Sequence, residues 1–266
     1  MNASVLQVRG LTKHFGGVRA LDGVDFEVPA GQCVALIGPN GAGKSTCFAC
    51  LAGQQTPSAG EVFWHREPLL GKPPAERLRL GVARTFQVAQ TFEALTVLQN
   101  IQLVVRDAQA LSWWDSLKQR QPERAIQLAE QAQLRHLADV TVADLPYGAK
   151  KRLELAMALA GLPQAETGGA VANALLLLDE PAAGLALAER AAMMALVRQV
   201  TAQGVTVLYT EHNMDAVFGV ADRVLVLMQG RLVADGRPEA VAQDPQVRER
   251  YLGIDFDMKG LIDARG

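Results

Sequence analysis

From Val5 to Val28 apolar residues alternate with turns such as Phe15-Gly16-Gly17, a pattern that predicts antiparallel strands. Pro29-Ala30-Gly31 then punctuates the chain. Beyond it the pattern changes. Cys33 to Ile37, Ala174 to Leu178 and Val205 to Tyr209 are continuous apolar runs, the pattern of strands buried on both faces of a parallel sheet. Glu61 to Trp64 resumes strand character after a loop from Gly53 to Gly60. Thr46 to Leu51 and Ala188 to Gln203, the latter stopped by Gly204, read as helices. Val88 to about Leu162 reads as mainly helical, with Ile126, Ala129 and Leu137 on one side. Val224 to Met228 and Arg231 to Ala234 form a closing hairpin turned at Gln229-Gly230, and the Ala- and Gly-rich patch Gln164 to Asn173 reads as a flexible surface loop. The alternation predicts an α/β fold: a mostly parallel sheet flanked by helices, with an N-terminal antiparallel β part and a helical insert.

The chemistry enters where the first buried run ends. Gly38-Pro39-Asn40-Gly41-Ala42-Gly43-Lys44-Ser45 is a complete G-x-x-x-x-G-K-[ST] phosphate loop between a predicted strand and a predicted helix that opens at Thr46. Glycines let the backbone wrap so that its N–H groups converge on phosphate oxygens, and the helix N-terminus adds a favourable dipole. Lys44 is expected to reach the β- and γ-phosphates and Ser45 to ligate Mg²⁺. A Gly-rich turn with a chance Lys-Ser is the bland alternative, and the flanking elements argue against it. The fold class is therefore a P-loop NTPase core.

Composition narrows the partners. A net charge of −2 argues against a protein built to neutralise nucleic-acid phosphates. No apolar run approaches the roughly 18 residues that span a bilayer, and the first residues lack the pattern of a secretion signal, so the chain is expected to remain cytosolic. Cys47 and Cys50 form a C-x-x-C with no second pair to complete a zinc site, and read as small apolar helix residues.

A phosphate loop alone leaves kinases, GTPases and many ATPases open. The second buried strand narrows the choice, because it ends in Asp179-Glu180. A carboxylate at that edge is placed to hold Mg²⁺ through water, and Glu180 to orient and deprotonate the attacking water. An acidic helix cap is the structural alternative.

With these motifs in hand, the chain resembles the ATP-binding cassette family over nearly its whole length. Leu145-Pro146-Tyr147-Gly148-Ala149 is similar to the family's signature motif and opens a helix from Lys150 to Ala160. Gln87, in Arg84-Thr85-Phe86-Gln87, matches the Gln that touches Mg²⁺ and senses the membrane partner; His212 matches the switch histidine near the γ-phosphate; Phe15 matches the aromatic that stacks on adenine. Within the family, Arg84 to Gln87, the Leu-Pro-Tyr-Gly form of the signature, Asp179 to Leu185 and the ending Arg250-Tyr251-Leu252-Gly253 most resemble the cassettes of branched-chain and other hydrophobic amino acid importers. Relatives of that branch serve urea and short amides, so the solute does not follow from the cassette.

The resemblance implies ATP and Mg²⁺ as cofactors and two cassettes stacked head to tail, each ATP lying between one phosphate loop and the opposite signature helix. It implies as partners two transmembrane permease subunits, a second and non-identical cassette and, indirectly, a solute-binding protein, with the chain peripheral at the cytoplasmic face of a bacterial inner membrane. Phe92, Leu95, Trp113 and Trp114 are candidates for the permease contact, with a core role as the alternative. The expected division is a nucleotide-binding core of 1–87 and 163–253 with the β part, a helical unit of 88–162, and a tail of 254–266. Two departures from the family stand out: Ala186 replaces the usual Asp, and the Gln164 to Asn173 stretch is longer than the usual connection between signature helix and catalytic strand. Within the signature, Pro146 replaces the usual Ser and so can donate no hydrogen bond. A soluble cassette acting on nucleic acid is the competing reading; the single cassette and the absence of long heptads or a basic stripe speak against it.

Overall fold

The computed structural model describes residues 4–85, 91–105, 122–163, 173–253 and 256. The alternating N-terminal segment forms β1 (Ser4–Phe15) and β2 (Val18–Pro29), which pair antiparallel, with β4 (Ala59–Trp64) and the short β5 (Glu67–Pro68) completing a sheet in the order β2-β1-β4-β5. The continuous apolar runs form β3 (Cys33–Ile37), β7 (Leu175–Asp179) and β8 (Thr206–Thr210), every residue of them buried. With β6 (Val82–Arg84), β9 (Arg223–Met228) and β10 (Arg231–Gly236) they make a six-stranded sheet ordered β10-β9-β3-β8-β7-β6, parallel except for the terminal β10.

Both faces of this sheet are packed, which explains why its strands do not alternate. Cys33, Ala35, Ile37, Leu176, Leu178, Val207 and Tyr209 share one core cluster with residues of α5 (Tyr147–Ala160) and α6 (Leu187–Ala202). Val34, Leu36, Leu175, Leu177 and Leu208 point the other way, into a cluster with Phe48 of α1 (Lys44–Leu51) and Trp64 of the antiparallel sheet. Cys33, Cys47 and Cys50 are buried and free, and burial pushes the Cys33 thiol up to about 12, so they pack as apolar residues.

The short α2 (Pro74–Arg79) precedes β6, and between β6 and β7 the described chain is mainly helical, with α3 (Val97–Val104), α4 (Pro122–Gln131) and α5. Three details differ from the sequence expectation. The first helix opens at Lys44, two residues before Thr46. Helix α5 opens at Tyr147 rather than Lys150, because Pro146, with its ring-fixed φ of −56°, stands at the N-cap and its carbonyl already accepts from Ala149 and Lys150. In α4 the inward face is Ala125, Leu128, Ala129 and then Ala132; Ile126 is half-buried, and Leu137 lies in a separate 3₁₀ turn, Arg135–Leu137. Ala129 faces as expected, and Leu137 packs against the same core from that turn, whereas Ile126 does not.

Asn100, fully buried on α3, is an organiser that no apolar pattern reveals. Its side chain accepts from the Phe92 amide and donates to the carbonyls of Phe92 and Thr96, which shapes the segment before the capping box of Thr96 and Gln99. Phe92 is thereby held outward, 58% exposed. Trp113, Trp114 and most of the 164–173 patch lie outside the described residues.

Candidate functional site

Strand register assembles the site. Thr210, the last residue of β8, lies opposite Leu36 of β3 on one side and Asp179 of β7 on the other. The segments starting at Gly38, Glu180 and Glu211 therefore emerge side by side at the carboxyl edge of the parallel sheet, where open α/β folds place their ligands.

The phosphate loop is braced from behind by backbone. The Gly230 amide, in the β9–β10 turn, donates to the Ala42 carbonyl at 2.9 Å, and the Gly230 carbonyl accepts from Asp22 on β2. A Cβ at Gly38 (φ +147°) would overlap the Leu227 carbonyl oxygen, and one at Gly43 (φ +105°) the Ala20 carbonyl oxygen. These two glycines let the loop lie flat against β9 and β2. The Lys44 ammonium is buried at the centre, donating to the carbonyls of Gly38 (2.6 Å) and Pro39 (3.0 Å); burial holds its pKa below the ordinary lysine value, while Glu180 and Asp179 oppose the shift. Ser45 is exposed on the first turn of α1, Asn40 and Gly41 are exposed at the loop crest, and Ala42 is buried beneath it. Phe15 is 46% exposed at the β1–β2 turn, with Lys13 Nζ 4.9 Å from its ring centroid. That turn adjoins the β2 segment on which Gly43 rests.

Asp179 and Glu180 leave their strand in different directions. One Asp179 oxygen accepts from the Thr210 hydroxyl at 2.8 Å and the other from Arg84 at 2.6 Å. Glu180 sits at φ +48°, a left-handed conformation that is rare for a side chain of this kind and is held by its amide donating to Thr210 Oγ1 and to the Thr210 carbonyl. The twist brings Glu180 Oε1 within 2.9 Å of His212 Nε2, with the imidazole 42% exposed. A carboxylate and an imidazole in contact beside a buried ammonium can handle a proton and steady a charged oxygen. Glu211, absent from the sequence reading, ties the two segments together: its carboxylate accepts from the amides of Ala182 (2.7 Å) and His212 (3.2 Å). Burial pushes its carboxyl above the usual range against those donors. The signal for Glu211, Thr210 and Arg84 was their place at the ends of apolar strands beside named motif residues, Arg84 in the same stretch as Gln87.

The signature segment lies on the same edge through α6. Leu145 is buried, Pro146 caps α5, Tyr147 is 49% exposed, and Gly148 and Ala149 are buried in the first turn. The Tyr147 ring would lie 3.2 Å from a Cβ at Gly184, and a Cβ at Gly148 would stand 2.5 Å from Glu189 Oε1. The residues after Glu180 thus touch the signature of their own subunit. Ala186 is the N-cap of α6, with Glu189 accepting from its amide, so half of a capping box is present and the side-chain half is missing. Ala186→Ser is expected to raise stability by about 1 kcal/mol, and thermal unfolding should show the midpoint rising by about 2–4 °C.

Among the described residues no three His, Cys, Asp or Glu side chains cluster to hold a metal ion by themselves. The residues expected to face Mg²⁺, Ser45 and Asp179, carry a hydroxyl and a carboxylate, oxygen donors of the kind this ion takes beside waters and substrate phosphates. Gln87 lies outside the described residues.

Comparison with known proteins agrees with this architecture. The family model described as ABC transporter matches residues 21–183. The chain is 35% identical over 263 residues to the high-affinity branched-chain amino acid transport ATP-binding protein BraF of Pseudomonas aeruginosa, spanning 95% of this chain and 99% of that one. It is 36% identical over 264 residues to the LivG protein of the same description from Escherichia coli, again spanning 95% and 99%. Among solved structures, the ADP conformation of an ATP-binding cassette of an ABC transporter superposes with a TM-score of 0.82 at 31% identity, covering 95% of this chain and all of that one. A nucleotide-free cassette from an ABC transporter gives 0.80 at 30% identity, covering 94% of this chain and all of that one.

Proposed function

Because the chain belongs to the ABC transporter family, whose characteristic activity is ATP hydrolysis, we propose that it energises uptake of branched-chain or other hydrophobic amino acids as the ATPase subunit of an importer. The observation that supports this reading is the grouping of Lys44, Asp179, Glu180 and His212 at one sheet edge, on a chain that aligns over 95% of its length with cassettes of that description. In this reading the phosphate loop from Gly38 to Thr46 cradles ATP, with Phe15 against the adenine. Ser45, Asp179 and Gln87 would hold Mg²⁺, which supplies charge neutralisation between the β- and γ-phosphates. Glu180 takes the proton of the attacking water and His212 steadies the γ-phosphate oxygen. Leu145 to Ala149 serve the ATP of a second, non-identical cassette. The amides of Tyr147 and Gly148, ahead of the first intrahelical donor Ala149, face that task without a hydroxyl from Pro146.

Among the described residues no helix is long and apolar enough to cross a membrane. Attachment in this reading is peripheral, at the cytoplasmic face, through two permease subunits served by a solute-binding protein. An apolar cleft of about 320 Å³ between the core and the helical insert, walled by Leu78, Ala83, Val104, Met157 and Ala158, suits an apolar permease helix, with Phe92 exposed on the same insert. The division into a core of 1–87 and 163–253, a helical unit of 88–162 and a tail of 254–266 belongs to the same reading. The deciding experiment is uptake of labelled leucine, isoleucine and valine by cells lacking the gene and complemented with the wild-type chain or Lys44→Ala. Restoration by the wild type and background uptake with Lys44→Ala is the expected result; uptake of labelled urea instead would replace the solute, and no restored uptake would defeat the reading.

A further inference from the structure

Arg84 is absent from the machinery assembled above, yet it makes the closest polar contact to Asp179. Its Nη2 donates to Asp179 Oδ2 at 2.6 Å, with side chains only 11% and 6% exposed. Its Nη1 donates to Gln54 Oε1, and the guanidinium lies over the Phe48 ring at 6.0 Å from the centroid. The cation is therefore fixed in plane and position by an amide and an aromatic face. On the far side of the carboxylate, Thr210 donates to Oδ1 at 2.8 Å.

We propose that Arg84 is a positioning residue for the metal-facing carboxylate: it clamps Asp179, together with Thr210, in the one orientation from which Mg²⁺-bound nucleotide is held. The inference rests on the reading of Asp179 given under Proposed function. A carboxylate this buried needs a cation and donors to offset its charge and fix its orientation. Arg84 supplies the cation and Thr210 the second donor, so the plane of the carboxylate is set before any metal arrives. Arg84 and Gln54 both line the apolar cleft between the core and the helical insert. Arg84 thus joins a residue of the cleft wall, Gln54, to the metal-facing carboxylate.

The test separates metal from nucleotide. ATP affinity is measured in EDTA, and Mn²⁺ binding to the protein with equimolar ATP is followed by electron paramagnetic resonance, for the wild type, Arg84→Met and Arg84→Lys. The orienting role predicts that Arg84→Met weakens Mn²⁺ binding about tenfold or more, the usual consequence of losing a group that orients a ligand. ATP affinity in EDTA should stay within about threefold, because Arg84 orients a metal ligand and does not touch phosphate. Arg84→Lys keeps the charge and loses the fork, and should fall between the two; it also decides the matter if Arg84→Met does not fold. Equal loss of ATP affinity in EDTA, or unchanged Mn²⁺ binding in the folded variants, overturns the proposal. A wild type that binds ATP but holds no Mn²⁺ with it removes Asp179 from its metal role and takes this inference with it, whereas a wild type that binds no ATP defeats the functional reading itself.

Discussion

Glu180→Gln is expected to leave ATP binding intact and to lower turnover by about 10²-fold or more. The backbone of Glu180 is strained at φ +48° and tethered through its amide to Thr210, and its Oε1 lies 2.9 Å from His212 Nε2. Glutamine has the same shape and can keep an oxygen toward the imidazole, so the pocket is preserved. It has no basic oxygen with which to take a proton from water. A factor of 10² is about 2.7 kcal/mol of transition-state stabilisation, modest for a general base, and the true loss is larger if His212 cannot substitute. Phosphate release and nucleotide affinity, measured on the same preparation, decide the matter. Full turnover by Glu180→Gln would remove this residue from the proton path.

Gly43→Ala should be more damaging to binding, because it attacks the loop rather than the chemistry. The new methyl would overlap the carbonyl oxygen of Ala20, a rigid backbone atom of β2 that cannot swing aside, at a φ of +105° that disfavours any side chain. The loop or β2 must move, and either movement scatters the amides that converge on phosphate. Nucleotide affinity should fall by about 10²-fold or more, in keeping with the large losses that follow strain at a special backbone conformation. Gly41 provides the contrast. Its φ is +78°, but a Cβ there meets nothing within 4 Å. Gly41→Ala should show only the conformational penalty of about 1–2 kcal/mol in the unfolding free energy. Equal effects of the two substitutions on unfolding would mean that contact with β2 does not shape the loop.

The contrast between these glycines shows what the sequence made legible. The motif announced that glycines were needed between a strand and a helix, but only the register of distant strands tells which of them meets Ala20 or Leu227. Buried strands were readable because a sheet covered on both faces demands unbroken apolar runs. Asp179 and Glu180 were readable because they end such a run. Thr210, Glu211 and Arg84 carry no such mark. Their partners lie 31, 29 and 95 positions away along the chain, and a polar residue at a strand end has no apolar period to betray its direction. Asn100 was hidden in the same way, buried among apolar neighbours by bonds to loop carbonyls. The opening of α5 was misplaced by three residues because Tyr147 and Gly148 are weak helix formers, while the proline before them fixes the start.

The bracing of the phosphate loop has a thermodynamic corollary. With Ala42 bonded to Gly230 and Gly43 seated on Ala20, the loop has its shape independently of what it holds. Ordering a loop on binding consumes free energy that would otherwise appear as affinity. A cradle already set by two hairpins spends little on ordering, so most of the favourable interaction with a triphosphate remains available and, in the proposed importer, can help to draw two cassettes together.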